Sequence, residues 1–536
     1  MKKILRVLVV IVILCLVGGA YYYVALPAVN VHSQGFWWFI LAALIIAAAL
    51  AGAFAYLDKN AKFQKKDTKQ KAVFIIAGSA AGGVLIIFII GSILSSPIVN
   101  AGKYQKLLTI TDRNYTDDIK EISYKDIPIL DKDSANLLGS RKMGSIAEYV
   151  SQFEVAPNYT QINYQGTPVR VTPLQYGGVI KWFTNRSKGI PAYIRIDMAT
   201  QNVELVKLDK GMKYTQSDHF GRNIYRYLRF HYPTYVFDTI NFEVGDDGVP
   251  YWICPVKKYT IGLFGGQTIG RAVIVNAVTG ELQDYAVEDI PTWVDRVYSA
   301  ELLISLYDYY GTLRHGYLNS VFGQKDALQT TDGYNYLVLD DDVWVYTGVT
   351  SVGSDESNVG FVLMNQRTAE TRYYSVSGAE EYSAMASAEG QVQHLGYKAT
   401  FPLLLNIGGE PTYFLALKDA AGLVKKYAMV NIAQYQIVAI GDTVSECEKI
   451  YLGLMKSSGI SVADASKLPN ITGTIQKIVD CVVDGNTHYY ILLNNSTEIF
   501  DVPVNDFIQI IKYKEGDSIT FNYSAGTDSN TVVGIE

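Results

Sequence analysis

Few of the residue types that do chemistry stand at spacings that chemistry needs. The six histidines are His32, His219, His231, His315, His394 and His488, and none lies in an HExxH or other paired arrangement. No GxSxG elbow occurs outside the apolar stretches, and no glycine-rich loop runs into a helix with a Lys-Ser/Thr end. Gly262-Leu-Phe-Gly-Gly-Gln-Thr-Ile-Gly270 is glycine-rich but lies between strand-like segments. It reads as a flexible hairpin tip, with phosphate binding as the alternative. Acids cluster at Asp246 and Asp247, at Asp340 to Asp342, and at Asp355 and Glu356. Calcium takes such oxygens, but none of these has EF-hand spacing, and acids at hairpin turns are usually solvated. The 40 tyrosines include Tyr225-Arg-Tyr227 and Tyr307-Asp-Tyr-Tyr310, which could stack on carbohydrate or peptide. The spacing of Tyr307 and Tyr310 fits core packing as well. No CxxC or Cys/His cluster is present, so zinc is not expected. The sequence therefore predicts no catalytic residue, no cofactor and no metal site.

The elements that would carry such groups begin with lipid. Of 536 residues 49% are apolar and 18% charged, below the roughly 25% of soluble domains, and the mean hydropathy is +0.10. The apolar excess sits at the front: 7–26, 35–57 and 72–102 hold twenty, twenty-three and thirty-one residues without a charge. About 20 helical residues cross a bilayer, so the expectation is three transmembrane helices within 1–102, at about 7–26, 35–57 and 72–97. Lys2, Lys3 and Arg6 precede the first, and Lys59, Lys62, Lys65, Lys66, Lys69 and Lys71 lie between the second and third. Positive charge collects on the cytoplasmic side, which predicts a plasma-membrane protein with a cytoplasmic N-terminus and everything after about residue 97 extracytoplasmic. A signal peptide is the alternative for the first span, and it leaves that location unchanged. Gly78-Ser-Ala-Ala-Gly82 allows close helix approach, either between the second and third spans of one chain, or in a homo-oligomer or with a membrane partner. No span contains an interior acid or base, which argues against an ion pathway.

Residues 98–536 carry 37 basic and 50 acidic side chains, a net charge of −13, which favours solubility and disfavours nucleic acid as a partner. Cys254, Cys447 and Cys481 allow at most one disulfide there, with buried free thiols the simpler reading. Seven Asn-x-Ser/Thr sequons matter only in a secretory eukaryote.

The strongest signal is internal repetition. A strand, then Asp/Asn, two residues, Thr/Gln and another strand recurs four times. The copies are Asp197-Met-Ala-Thr200, Asn276-Ala-Val-Thr279-Gly280-Glu281, Asn365-Gln-Arg-Thr368-Ala-Glu370 and Asn431-Ile-Ala-Gln434. An Asp or Asn side chain starts such a turn by accepting a backbone N–H two residues on. Upstream lie Gly166-Thr-Pro168, Gly248-Val-Pro250 and Gly409-Glu-Pro411, with Asp341-Asp342 in the third copy. Amphipathic stretches at 219–230, 299–310, 379–391 and 443–454 separate the strands, with Thr443 and Glu446 at capping-box spacing. The fold class is α+β: a charged stem with a short helix (103–150), then helix-plus-antiparallel-sheet units at 151–235, 236–310, 311–395 and 396–463. After a linker at 464–470, short alternating strands predict a small OB-like or SH3-like β-barrel (464–536).

Strand, Gly-x-Pro-x-aromatic, strand, loop, then V-x-V-(D/N)-x-x-T-G-E resembles the PepSY domain pattern, best in residues 248–281. The resemblance implies extracytoplasmic modules that bind, some restraining peptidases, and it supplies no catalytic residues. More widely, Asp131-Lys-Asp133 with Gly139 and Gly144, Pro250-Tyr-Trp-Ile-Cys-Pro255 and Ile290-Pro-Thr-Trp-Val-Asp-Arg296 make the chain similar to membrane proteins of Firmicutes-type bacteria, some loosely labelled CvpA family. The expected function is a membrane-anchored binding or scaffold protein of the bacterial cell envelope. Its partners would be the lipid bilayer and an envelope protein or peptide, and its modules could regulate a secreted or membrane enzyme. The alternatives are an envelope enzyme with a site between repeats, and an accessory subunit of a transport or secretion complex.

Overall fold

A computed structural model describes residues 2–57, 68–120, 127–353, 357–460, 469–483, 486–504, 507–524 and 529–535. Lys59, Lys62, Lys65 and Lys66 of the lysine-rich loop, Asp355, Glu356 and most of the 464–470 linker lie outside the described residues. The chain forms two compact units, one of Met1–Arg113 with Pro128–Glu380, the other of Asn114–Ile127 with Glu381–Glu536.

The first unit opens with helices α1 (Lys2–Ala25), α2 (Gln34–Leu57) and α3 (Thr68–Leu94). Among the described residues one stretch, Ile75–Leu94 in α3, is long and apolar enough to cross a membrane, with mean hydropathy 2.2. Ile11–Ala25 and Gln34–Leu50 are shorter apolar helices. Where a stem was expected, the chain folds: α4 (Pro97–Tyr104) is followed by strand β1 (Ile110–Arg113). Helix α5 (Tyr115–Asp118) belongs to the second unit; α6 (Lys132–Gly144) and α7 (Ala147–Val150) continue the first, and Asp131 caps α6 by accepting the Ser134 N–H.

Three sheets follow in this unit. The first contains β2 (Phe153–Val155), β3 (Thr160–Tyr164), β4 (Thr167–Tyr176), β5 (Ile190–Asp197) and β6 (Val203–Met212), with the short helix α8 (Val179–Asn185) between β4 and β5. The second is a meander of β7 (Asn241–Val244), β8 (Pro250–Ile261), β9 (Gly265–Asn276) and β10 (Leu282–Ala286). The expected helix at 219–230 is split there. A 3-10 turn at Phe220–Arg222 precedes α9 (Ile224–His231), because Asn223 leaves helical geometry to cap α9 through the Arg226 N–H. The third sheet has β11 (Leu328–Thr330), β12 (Asn335–Leu339), β13 (Asp342–Ser351), β15 (Gly360–Asn365) and β16 (Thr371–Tyr374). It is entered through α10 (Ala300–Thr312), with Ser299 as its N-cap. The two-residue strands β14 (Ser357–Asn358) and β17 (Gly378–Ala379) pair beside it.

The second sheet is buried on both faces, and its sequence shows why. Trp252, Cys254, Val273 and Val275 enter a core shared with Val171, Ile194 and Ile196 of the first sheet. The alternate residues Ile253, Ala272 and Ile274 enter a core with Leu303, Leu306 and Tyr307 of α10 and Val345, Val362 and Met364 of the third sheet. Strands covered on both sides need apolar residues without alternation.

The second unit pairs α11 (Glu381–Gln391) and α12 (Val444–Ser457) with a sheet of β18 (Lys398–Ala399), β19 (Leu403–Ile407), β20 (Glu410–Lys418), β21 (Val424–Asn431) and β22 (Val438–Gly441). Thr443 caps α12 through the Glu446 N–H, while the Glu446 carboxylate reaches back to the Asp442 N–H. The tail holds β23 (Asn470–Val483), β24 (Asn486–Leu493), β25 (Ile499–Pro503), β26 (Ser518–Ser524) and β27 (Asn530–Ile535). Their pairing runs β23-β24-β25-β27-β26 and returns to β23, around Ile491, Phe500, Ile510 and Phe521.

Candidate functional site

The recurrent turn residues occupy the ends of third meander strands: Asp197 ends β5, Asn276 β9, Asn365 β15 and Asn431 β21. Their side chains do the same work. Asp197 Oδ1 accepts from Ala199 N and Thr200 N, Asn276 Oδ1 from Val278 N and Thr279 N, and Asn365 Oδ1 from Arg367 N and Thr368 N. Asn431 Oδ1 accepts from Gln434 N at 2.8 Å. The hydroxyls of Thr200, Thr279 and Thr368 close the turn by accepting from Asn202 N, Glu281 N and Glu370 N. Between Thr and strand one residue is left-handed: Gln201 at φ 59°, Gly280 at 79° and Ala369 at 62°. In these three copies a left-handed residue closes the turn before the strand resumes. These residues shape hairpins, and they do not converge on a common site.

The opposite hairpins do converge, at the junction of the first three sheets. The turns at Gln165-Gly166 and Asp340-Asp341 are two-residue turns with positive φ at both positions. Gln165 Nε2 donates to the Asp246 carbonyl at 2.8 Å. Asn163 Nδ2 donates to Asp341, and the Asn163 backbone N–H donates to Asp295 Oδ2 at 2.7 Å. The Asp295 and Arg296 N–H groups in turn donate to the two carboxylate oxygens of Glu243 on β7, each at 2.9 Å. Asp342 holds Arg367 through both carboxylate oxygens and also accepts from Asn365 Nδ2. Glu243 is fully buried and Asp295 1% exposed. Burial pushes the Glu243 carboxyl up to about 7, against the pull of its two backbone donors and Arg296. Burial and the neighbouring Glu243 charge drive Asp295 upward too.

Two buried acids with raised proton affinity are a known device for acid–base catalysis. Here both Glu243 oxygens and one Asp295 oxygen hold backbone donors of other elements, so the pair acts as a knot between sheets. The polar hollow above it, about 370 Å³, is lined by Asn163, Gln165, Asp246, Trp293 and Asp341. Asp340 points elsewhere, to Arg372. Among the described residues no group of three or more His, Cys, Asp or Glu side chains is placed to hold a metal ion. Tyr307 is a core residue, as the helical spacing allowed.

Glycine-rich residues 262–270 were expected to form a flexible tip, and the β8–β9 turn is instead a docked one. The Leu263 and Phe264 N–H groups donate to Ser95 Oγ at 2.7 and 3.0 Å, His32 Nδ1 bonds the Leu263 carbonyl, and Phe264 packs against Trp37 and Phe88. On the same side Arg226 and Arg229 of α9 donate to the Tyr23 and Leu26 carbonyls, and Phe230 meets Tyr22 edge-on. The second sheet and its leading helix α9 are thereby fastened, between them, to the ends of the three apolar helices.

Edges and cavities complete the inventory. β16 carries β1 as an added parallel strand, Ile110 to Arg113 against Thr371 to Tyr374. Among the described residues the corresponding fourth strands of the first and second sheets, β6 and β10, each have one neighbour in their sheets. Beside the end of β6 lies a cavity of about 700 Å³ whose lining includes Lys188, Lys210, Lys213 and Arg222 and a single acid, Asp209. The knot residues Glu243 and Asp295 escaped sequence reasoning. Glu243, a charged residue between Phe242 and Val244 in an apolar strand, was the available signal.

No known family profile matches the chain, and no curated protein matches it. Among solved structures, an ACO/RPE65 chimera in a monoclinic crystal form aligns at 8% identity over 71% of this chain and 65% of its own, with a TM-score of 0.14. A mutant apocarotenoid oxygenase from Synechocystis aligns at 8% identity over 55% of this chain and 47% of its own, with a TM-score of 0.12. The chain thus spans less than two thirds of the length of either, and similarity at this level assigns neither fold nor family.

Proposed function

We propose that the chain is a membrane-anchored binding protein of the bacterial cell envelope, whose sheets capture an extended peptide segment by strand addition. The observation that carries this reading is β1. A segment from outside the meander already pairs with the edge strand β16, and the first sheet presents the ten-residue strand β6 in the same position, with no strand paired on that side among the described residues. Main-chain pairing supplies affinity in this mode, and neighbouring side chains supply selectivity. The cationic cavity beside β6 selects for an acidic segment. The buried acids favour binding over an envelope enzyme, since both Glu243 oxygens and one Asp295 oxygen are committed to backbone donors.

In this reading α1, α2 and α3 are three spans with the N-terminus cytoplasmic, and the four meanders are PepSY-like repeats, each led by a helix. The closed strand order of the tail, first-second-third-fifth-fourth, supports an OB-like barrel. The membership suggested by resemblance to CvpA-labelled Firmicutes-type proteins belongs to the same proposal.

The test uses the full chain in detergent and two synthetic ten-residue peptides of alternating Val/Thr pattern, one ending in Asp and Glu, the other in Lys and Arg. The acidic peptide should bind, and the Lys210→Glu/Lys213→Glu variant should lose it. Equal binding of both peptides, or hydrolysis of either, would overturn the reading. Location is tested separately: an impermeant thiol reagent should label exposed Cys481 in intact cells.

A further inference from the structure

A second cavity, of about 790 Å³, lies where α3 ends. It is bounded by α4, by Thr260 and Ile261 at the end of β8, and by Leu313, Arg314 and Gly316 after α10. Its charged lining is Lys103, Lys106 and Arg314, with no acid among its residues. That is against the trend of residues 98–536, whose net charge is −13. The position is fixed by bonds to the end of α3. Asn100 Nδ2 donates to the Leu94 carbonyl at 2.7 Å, and the Tyr104 hydroxyl donates to the Ser95 carbonyl at 2.6 Å. Neither lysine forms an ion pair among the described residues. Apolar side chains close in sequence to the lining are exposed: Ile98 and Val99 on α4, and Leu318 and Phe322 shortly after Gly316, 54% to 81%.

We infer that this cavity binds the headgroup of an anionic phospholipid, held by Lys103, Lys106 and Arg314, with its acyl chains along α3 and the apolar collar of Ile98, Val99, Leu318 and Phe322. The inference rests on the membrane reading above, because α3 must cross the bilayer for a lipid to reach the cavity. Three cations at the rim of a span are the arrangement that anionic headgroups select, each contributing attraction near the surface. Large apolar side chains beside them fit acyl chains, and a soluble phosphate would leave that collar in water. Arg314 lies 5.2 Å over the Tyr310 ring, which holds the guanidinium at the cavity.

The experiment is native mass spectrometry of the full chain, purified in an uncharged detergent and offered equimolar phosphatidylglycerol and phosphatidylcholine. The expected result is retention of phosphatidylglycerol about tenfold over phosphatidylcholine, lost in Lys103→Gln/Lys106→Gln/Arg314→Gln and kept in Lys188→Gln/Lys210→Gln. These side chains are exposed or pair with nothing in the core, so the variants fold. Equal retention of the two lipids, or a preference surviving the triple variant, overturns the inference. Displacement of bound lipid by millimolar glycerol phosphate also overturns it, since the ligand is then a free phosphate. Carbonate extraction separates the two levels. A chain released into the aqueous phase refutes the membrane reading itself, whereas a chain that stays with membranes but shows no lipid preference refutes only the headgroup site.

Discussion

The Glu243 knot makes a quantitative prediction about pH. An unfolded glutamate ionises near 4.5, and the folded carboxyl is pushed up to about 7 by complete burial. Below pH 4.5 both states are protonated and the buried neutral acid contributes its full stability. As pH rises toward 7 the unfolded chain ionises while the folded one does not, so stability is lost across that window. At 1.36 kcal/mol per pH unit the loss is about 3 kcal/mol for this one group. Glu243→Gln removes the titration. It also replaces two acceptor oxygens by one, leaving the N–H of Asp295 or Arg296 without its acceptor, which costs about 1–3 kcal/mol. Two curves with different slopes follow. At pH 5 the variant should be the less stable, and by pH 8 the deficit should vanish or reverse. Urea unfolding of full chain and variant in the same detergent, read by tryptophan fluorescence from pH 5 to 8, measures this directly. Trp252 and Trp293 lie on elements flanking the knot. Parallel curves with a constant gap would refute the reasoning, for they would mean that Glu243 is ionised throughout. Asp295→Asn should act in the same direction, and the double variant should show less than the sum, because the Glu243 charge is one of the causes that raise Asp295.

Other perturbations have simpler outcomes. Asn276→Ala removes the acceptor of two backbone N–H groups and should cost about 1–2 kcal/mol in urea unfolding, with Asn365→Ala costing more because its amide also donates to buried Asp342. Gly280→Ala should cost about 2–3 kcal/mol, since the residue is at φ 79° and a methyl there would run into the Tyr214 ring. In the folded chain a polar thiol reagent should modify Cys481, which is exposed, and spare Cys254 and Cys447. Burial pushes the Cys447 thiol up to about 12 and raises Cys254 well above its usual value, so both should react only after unfolding.

What could be read from the sequence was local. The Asp or Asn at 197, 276, 365 and 431 works within a few residues of itself, so its side chain and the following Thr announce the turn without knowledge of the rest. Thr443 announced its helix for the same reason. Long-range partnerships left weaker traces. Asn163 finds Asp295 across 132 residues, and Leu263 finds Ser95 across 168. Nothing in a glycine-rich tip distinguishes one that waves in water from one whose backbone is caught by a serine. β1 is four residues, Ile-Thr-Asp-Arg, too few for a period, and its pairing with β16 depends on a strand more than 250 residues later. Apolar runs such as Trp252-Ile-Cys and Ala272-Val-Ile-Val were an available signal of a strand covered on both faces, but nothing in them says by what.

The fastening of the second sheet has a mechanical consequence. Ser95 at the end of α3, His32 before α2 and Tyr23 with Leu26 at the end of α1 all bond the same sheet or its leading helix α9. The sheet shares one core with the first sheet on one face and another with the third sheet on the other. Packed cores transmit displacement because they have little free volume to absorb it. A strand added at β6 would extend the first sheet, and any shift of that sheet would press on Trp252 and Val273 across the shared core. From there the path to the helices is short: the β8–β9 hairpin that carries these residues ends in Leu263 and Phe264, which sit against Ser95, Trp37 and Phe88. Strand addition at β6, as proposed, and packing of the helices would therefore be joined through one hairpin, where a flexible stem would keep them independent.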